Sequence, residues 1–314
     1  MKYKVITHTA AEHPFAGEAF LFNTEKHLCS QPGAERYTFD LVNIKTELSE
    51  ARFTMFLKGN NAFSPLRAPF GSLEFLSGVP FHYLEMLLKE VDKLAYQKQL
   101  KSVTVVSYPT CYAPENSQML HYLFTACGYS LEFNELNFHI CPDARSFMQR
   151  IVLNQRQELK KCREKGYTSN YGQIQDLEAV YDVISRARKH KGYPLTLSLE
   201  QFKGLPERFP DDFTFFYVKN KEKYIAVTLG VRVNSRILYN FFMAADPDYK
   251  SDSPTIMLLE ELYNYAHCHG YEILDYGMAS EKGAPNHGLI RFKERTGGIP
   301  SLKPVFKKNI RLSI

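Results

Sequence analysis

Two stretches of this chain, 174 residues apart, follow the same plan. Each runs from a short loop through a proline and an amphipathic helix into an apolar strand. The first is SGVPFHYLEMLLKEVDKLAYQ followed by SVTVVSYP; the second is SDSPTIMLLEELYNYAHCHG followed by YEILDYGM. Pro80 and Pro254 share that offset, as do Leu84 and Leu258, and Leu88 and Leu262. Proline suits a helix start because its fixed φ matches the first turn and no N–H is needed there. In the second copy Ser253 is placed as an N-cap and Gly270 as the closing residue. Residues 258, 262 and 265 fall on one helical face. A chain that must build the same helix-and-strand unit twice reads as two copies of one fold, and 314 residues is the length of about two domains.

The rest of each half fits a mixed α/β pattern. Strands are expected over 37–44, 51–58, 72–75, 102–108 and 131–140, with a helix near 115–127 before the last. In the second half they are expected over 167–172, 213–219, 224–233, 236–244 and 271–277. Polar turns, KNKE and NS, join 213–219 to 224–233 and 224–233 to 236–244, the signature of antiparallel hairpins. Helices are expected near 145–165, 176–190, 199–204 and 285–295. Antiparallel strands followed by a strand–helix–strand crossover make a mixed, mostly antiparallel sheet flanked by helices. The boundary is expected near Cys141-Pro142-Asp143, giving domains 1–142 and 143–314.

Composition excludes several classes. At 44% apolar residues, with 23 Phe and 20 Tyr, the chain is too rich in core-forming side chains to stay disordered. It has no apolar run long enough to cross a bilayer. The net charge of +5 suits an anionic ligand but is small for a dedicated nucleic-acid binder. Six dispersed cysteines without a CxxC pair read as reduced thiols in a cytoplasmic protein. The start, MKYKVITHTAAEHPF, lacks the apolar segment of a signal peptide. No Walker A, GxSxG, HExxH or GxGxxG motif is present. His267-Cys268-His269 looks metal-like, but consecutive helical residues point apart, and no metal is expected. The basic stretch 150–165, RIVLNQRQELKKCREK, reads first as a solvated charged face and second as an anion site.

One segment stands out: Asp275-Tyr276-Gly277, then Gly288-Leu-Ile-Arg-Phe292-Lys293-Glu-Arg-Thr-Gly297-Gly298. A strand ends in a polar-aromatic pair, a glycine-containing loop follows, and a short helix delivers Phe292-Lys293 before a Gly-Gly break. Together with NQRQELKKCREKGY (154–167), the hairpin YIAVTLGVRVNSRILYNFFMAADPDY and the Ser253-Pro254 helix, this order of elements resembles the GNAT-like acyltransferase domain of the Fem-type peptidoglycan aminoacyl transferases. The similarity covers about residues 145–300, and the first half resembles the companion GNAT-like domain more loosely.

The resemblance implies tandem GNAT-like domains and transfer of an acyl or aminoacyl group to an amine, on a peptidoglycan or polysaccharide precursor. The donor is open between acyl-CoA and aminoacyl-tRNA. It also implies that Lys293 of the FK pair stabilises the transition state and that Phe292 shapes the pocket. The chemistry stands without the family: attack of an amine on an ester or thioester builds negative charge on the carbonyl oxygen, which a preorganised cation stabilises. Tyr276 is a candidate proton donor or orienting group, or else a core aromatic with its hydroxyl at the rim. Asp275 and Tyr276 alternate across the strand end, so one faces the cleft and one the core, and Tyr239, a further candidate for substrate binding, lies on the preceding strand, where a core aromatic is the stronger reading. One departure stands against CoA: the loop before the second helix, Asp246 to Asp252, carries three acids and no glycine, and acids would repel a pyrophosphate. In the first half Arg67, Gly71 and Gly78 near a helix start are the better anion candidate, or a plain turn. Arg156 on the basic helix and Arg67 could flank a cleft for an anionic or nucleotide-linked substrate, with tRNA a possible partner. The rival reading is a non-catalytic ligand-binding or scaffold protein that keeps the fold.

Overall fold

The computed structural model describes positions 2–310, apart from 11, 12, 32, 173, 175 and 196. The chain divides into two compact units. The first holds the described residues of 1–137, 280–285 and 301–310; the second holds 138–279 and 286–300. Where the sequence reading draws one cut after residue 142, the chain returns twice to the first unit.

In the first unit, β1 (Tyr3–His8) pairs antiparallel with β2 (Glu35–Asn43), β2 with β3 (Ser49–Lys58), and β3 with β4 (Asn61–Ser64). A short helix, α1 (Glu25–Cys29), lies between the first two strands, and a two-residue strand, β5 (Glu74–Phe75), pairs with β3. Helix α2 (Phe81–Gln97) then crosses over to β6 (Ser102–Val106), which runs parallel to β4 from Asn61↔Ser102 to Ser64↔Val105. Helix α3 (Pro114–Ala126) leads into β7 (Ser130–Ile140). The chain's last strand, Ile299–Asn309, pairs antiparallel with β6 from Val305↔Val106 to Asn309↔Ser102. Its prolines, 300 and 304, hide it in the sequence, since proline cannot donate to a ladder. The ladder with β6 begins just beyond them.

The second unit repeats the scheme. Helices α4 (Phe147–Arg150) and α5 (Leu153–Glu164) replace the single helix expected over 145–165. Strand β8 (Thr168–Gly172) precedes α6 (Leu177–His190) and α7 (Leu199–Arg208). Strands β9 (Phe213–Asn220), β10 (Lys223–Asn234) and β11 (Ile237–Ala245) form an antiparallel meander, with β8 antiparallel to β9. Helix α8 (Thr255–Cys268) crosses over to β12 (Ile273–Met278), parallel to β11 from Ile237↔Ile273 to Tyr239↔Asp275. Helix α9 (His287–Arg295) follows. Each unit therefore has a meander, a crossover helix and a parallel strand.

The repeat positions behave alike. Pro80 and Pro254 are the N-caps of α2 and α8. Leu84, Leu88, Leu258 and Leu262 are all buried. On α2 the buried set Leu84, Leu87, Leu88, Val91 and Ala95 forms the stripe that seats an amphipathic helix. Each of the three leucines and Val91 contributes on the order of 1.5–3 kcal/mol by leaving water. Gly270 follows α8 at φ 73°, the conformation a helix-terminating glycine supplies. Ser253 is not the N-cap: it sits at φ 54° and ends the preceding 3-10 turn, so its side chain does not cap α8. Among the described residues, no helix is long and apolar enough to cross a membrane.

Candidate functional site

The site grows from the end of β12. Gly277 sits at φ 78°, and its N–H donates to Asp275 Oδ1 at 2.7 Å. That turn aims successive carbonyls of Gly277 and Met278 to one side. A side chain at 277 would press on Tyr239, 3.4 Å from its ring, so glycine serves both the turn and the close approach. Helix α9 starts at Asn286, whose side chain accepts from Leu289 N at 3.0 Å. Its seventh residue is Lys293. The Lys293 Nζ donates to Gly277 O and to Met278 O, both at 2.7 Å. The residue is 5% exposed. Burial lowers its ammonium from 10.5 to about 7, opposed by the nearby Asp275 charge. The Phe138 ring centre lies 6.0 Å from Nζ. The Gly297-Gly298 pair ends the helix over this lysine: Gly298 N donates to Lys293 O at 2.8 Å, and a Cβ at 298 would meet that oxygen at 2.8 Å.

The structure brings Lys293, Asp275 and Tyr239 together around Gly277. Phe292 lies beside Lys293, half-buried. Tyr276 is buried, and its hydroxyl donates to Thr296 O at 3.4 Å; burial raises its phenol well above the usual range. Burial, and then the Asp275 charge, does the same to Tyr239. Arg156 is exposed and donates to Ile151 O at 3.0 Å. Arg67, Gly71 and Gly78 belong to the first unit. Arg67 is exposed, and its backbone N–H donates to Gln31 Oε1 at 2.7 Å. Gly71 is buried against Ser64 and Pro65, where a Cβ would come within 2.6–2.9 Å. Gly78 is exposed, at φ 90° in a turn. Among the described residues, no group of three or more His, Cys, Asp or Glu side chains is placed to hold a metal.

The acidic loop reads differently in three dimensions. Asp246 is fully buried between Arg186 and Lys223, each at 2.9 Å. Asp252 receives Lys165 at 2.5 Å and the Tyr167 hydroxyl at 2.6 Å. Asp248 pairs with Arg186 at 2.7 Å. All three acids are therefore paired with cations, which the sequence could not show because the partners come from the end of α5, from α6 and from β10. Sequence reasoning also missed Asn286 as the cap that sets α9, although an Asn before a helix is a recognisable signal. It missed Phe242 too, which sits at φ 61° inside β11 and leaves no trace in composition.

Residues 152–294 match the family model described as acetyltransferase (GNAT) domain. No curated protein matches the sequence. Among solved structures, FemX is similar at 14% identity and a TM-score of 0.70, over 95% of this chain and 93% of its own. L-PGS from Bacillus licheniformis is similar at 15% identity and a TM-score of 0.56, over 84% and 82%. A tandem GNAT protein from the clavulanic acid biosynthesis pathway is similar at 12% and 0.54, over 90% and 85%. At these identities the likeness is one of fold.

Proposed function

We propose that this chain, which has the tandem GNAT-like fold of the Fem type, is an N-acyl or aminoacyl transferase of the cytoplasm. Its acceptor is an amine on a cell-envelope precursor, a reading that the FemX and L-PGS folds support. The observation that carries the proposal is Lys293, buried and held by two main-chain carbonyls.

An ammonium has three N–H donors. Two are committed to Gly277 and Met278, which fixes the direction of the third. When an amine attacks an ester or thioester carbonyl, a C–N bond forms and negative charge gathers on the carbonyl oxygen. The third N–H of Lys293 donates to that oxygen. Collapse breaks the C–O or C–S bond, and the proton shed by the attacking amine leaves with the alcohol or thiol. Because the lysine is preorganised and dry, its charge acts at low effective dielectric.

The test uses the full chain with acetyl-CoA and with aminoacyl esters as donors and amine-bearing peptides as acceptors, read by product mass. Lys293→Met is expected to lower kcat by about 10²–10³, the usual loss for one such donor. Turnover is also expected to fall as pH rises through about 7, where the ammonium is lost. Unchanged turnover in the variant, or a rate that keeps climbing above that pH, would overturn the role.

A further inference from the structure

The chain leaves the second unit after Ala279, spends residues 280–285 in the first, and re-enters at Asn286. That excursion is a hairpin. Ser280–Glu281 pairs antiparallel with Ala284–Pro285, and the two residues between, Lys282 and Gly283, sit at φ 49° and 78°. Two successive left-handed residues make the tight turn that matches the twist of paired strands. A ribbon with two residues on each strand is too short to hold its own shape in water. Glu135 of β7 holds it instead. Its Oε1 accepts from Lys282 N at 2.6 Å, and its Oε2 accepts from Gly283 N at 3.3 Å and from the Ser280 hydroxyl. Ser280 Oγ in turn accepts from Leu136 N at 2.7 Å. Glu135 is 7% exposed, and no cation among the described residues pairs with it. A buried carboxylate is costly unless hydrogen bonds replace its water, and here the amides of the turn do so.

Both ends of the hairpin run directly into the groups that hold Lys293. Upstream, Ser280 follows closely on Met278, whose carbonyl accepts from Lys293 Nζ at 2.7 Å. Downstream, Pro285 precedes Asn286, the N-cap of the helix that carries Lys293. Asn286 N donates to Ala279 O at 2.9 Å and closes the base of the hairpin. A shift of the hairpin therefore pulls on the lysine's acceptor at one end and on the lysine's own helix at the other. The connection is covalent at both ends.

We infer that Glu135 is a positioning residue for Lys293: its carboxylate clamps the 280–285 hairpin, and the clamped hairpin fixes the Met278 carbonyl and the start of α9. It acts through the chain rather than on the reacting atoms. With the clamp gone, the Met278 carbonyl is no longer aimed at Nζ and water reaches the ammonium, so the lysine regains its ordinary affinity for a proton. The clamp is independent of the reaction; only its effect on turnover rests on the transferase reading.

The lysine can be read directly. In the full chain carrying 13C-labelled lysine, the Lys293 signal is assigned by its loss in Lys293→Met and titrated by NMR. The wild type is expected to titrate at about 7. Glu135→Ala is expected to titrate at least about one pH unit higher, toward the ordinary 10.5, and Ser280→Ala in the same direction by less. Glu132→Gln, exposed on the same strand, is the control and is expected to change nothing. With an acyl donor and an amine acceptor, Glu135→Ala is expected to lower kcat by about 10–10² at unchanged KM, the scale of loss for a misplaced group. It is also expected to carry the alkaline fall in turnover upward with the titration. A variant that is merely less stable loses rate without moving that limb. If Glu135→Ala does not fold, Ser280→Ala and Glu135→Gln, which keep most of the clamp's bonds, carry the same test. Equal titration of Lys293 in the wild type and in every folded variant overturns the clamp. If the variants shift the titration while the wild type transfers no acyl group from any donor, the transferase reading fails and the clamp stands.

Discussion

Two buried ionisable side chains, one in each unit, give the protein opposite responses to pH. Glu74 is 7% exposed and accepts from Phe20 N and Asn23 Nδ2, each at 2.9 Å. Burial pushes its carboxyl from 4.5 up to about 7. A raised carboxyl means that the folded state holds the proton more tightly. The stability that Glu74 contributes to the first unit is therefore fully present below pH 4.5 and is lost as pH rises to about 7, by about 3 kcal/mol at most. Lys293 works the other way. Its folded value lies below its unfolded one, so between about 7 and 10.5 the unfolded chain binds more protons at this residue and the Lys293 contribution to the second unit's stability rises with pH. Hydrogen exchange followed unit by unit across these windows checks both. Glu74→Gln should flatten the first slope and Lys293→Met the second; a wild type flat in both windows would refute the assignment. The residue types at the site were legible: the order Asp275, Tyr276, Gly277, Phe292, Lys293 singles them out. The shifted lysine was not, because its environment is made by carbonyls 15 and 16 residues away and by Phe138.

Elements were legible where period and punctuation agree. The second unit's meander, β2 and β3 of the first, both crossover helices and α9 follow from alternating strands, apolar stripes and Pro or Gly at the ends. Among the strands that escaped, the last has two prolines, β4 is only four residues long, and β1 (Tyr3–His8) lies outside every expected strand. The glycines offered as an anion loop separate in the same way. Gly71→Ala would drive a methyl into Ser64 and Pro65 and is expected to cost about 2–3 kcal/mol as overpacking. Gly78→Ala meets open space and pays only for its φ of 90°, about 1 kcal/mol. Denaturant midpoints of the two variants check the order, and equal losses would show that packing at 71 is slack.

The duplicated fold does not carry duplicated chemistry. Helix α9 supplies Lys293, whereas α3, in the same place in the element order of the first unit, contains no Lys or Arg at all. The last strand makes a second asymmetry, since residues 301–309 complete the first unit's sheet beside β6. Truncation after Pro300 is therefore expected to expose β6 amides and destabilise the first unit, far from it in sequence. The β9–β11 amides should keep their protection. Hydrogen exchange on the shortened chain reads this directly, and loss of protection in β9–β11 first would contradict it.

The repeat, the second unit's meander with its crossover helix, and the residues of the FK segment were legible in the sequence alone, because helix starts, strand alternation and turns depend on neighbours a few residues apart. Tertiary structure decided the rest. It paired the acids of the 246–252 loop and gave Lys293 its two carbonyls. It also sent the final strand back to the first unit. Each of these depends on which distant groups meet and how much water they exclude, and no local pattern encodes that.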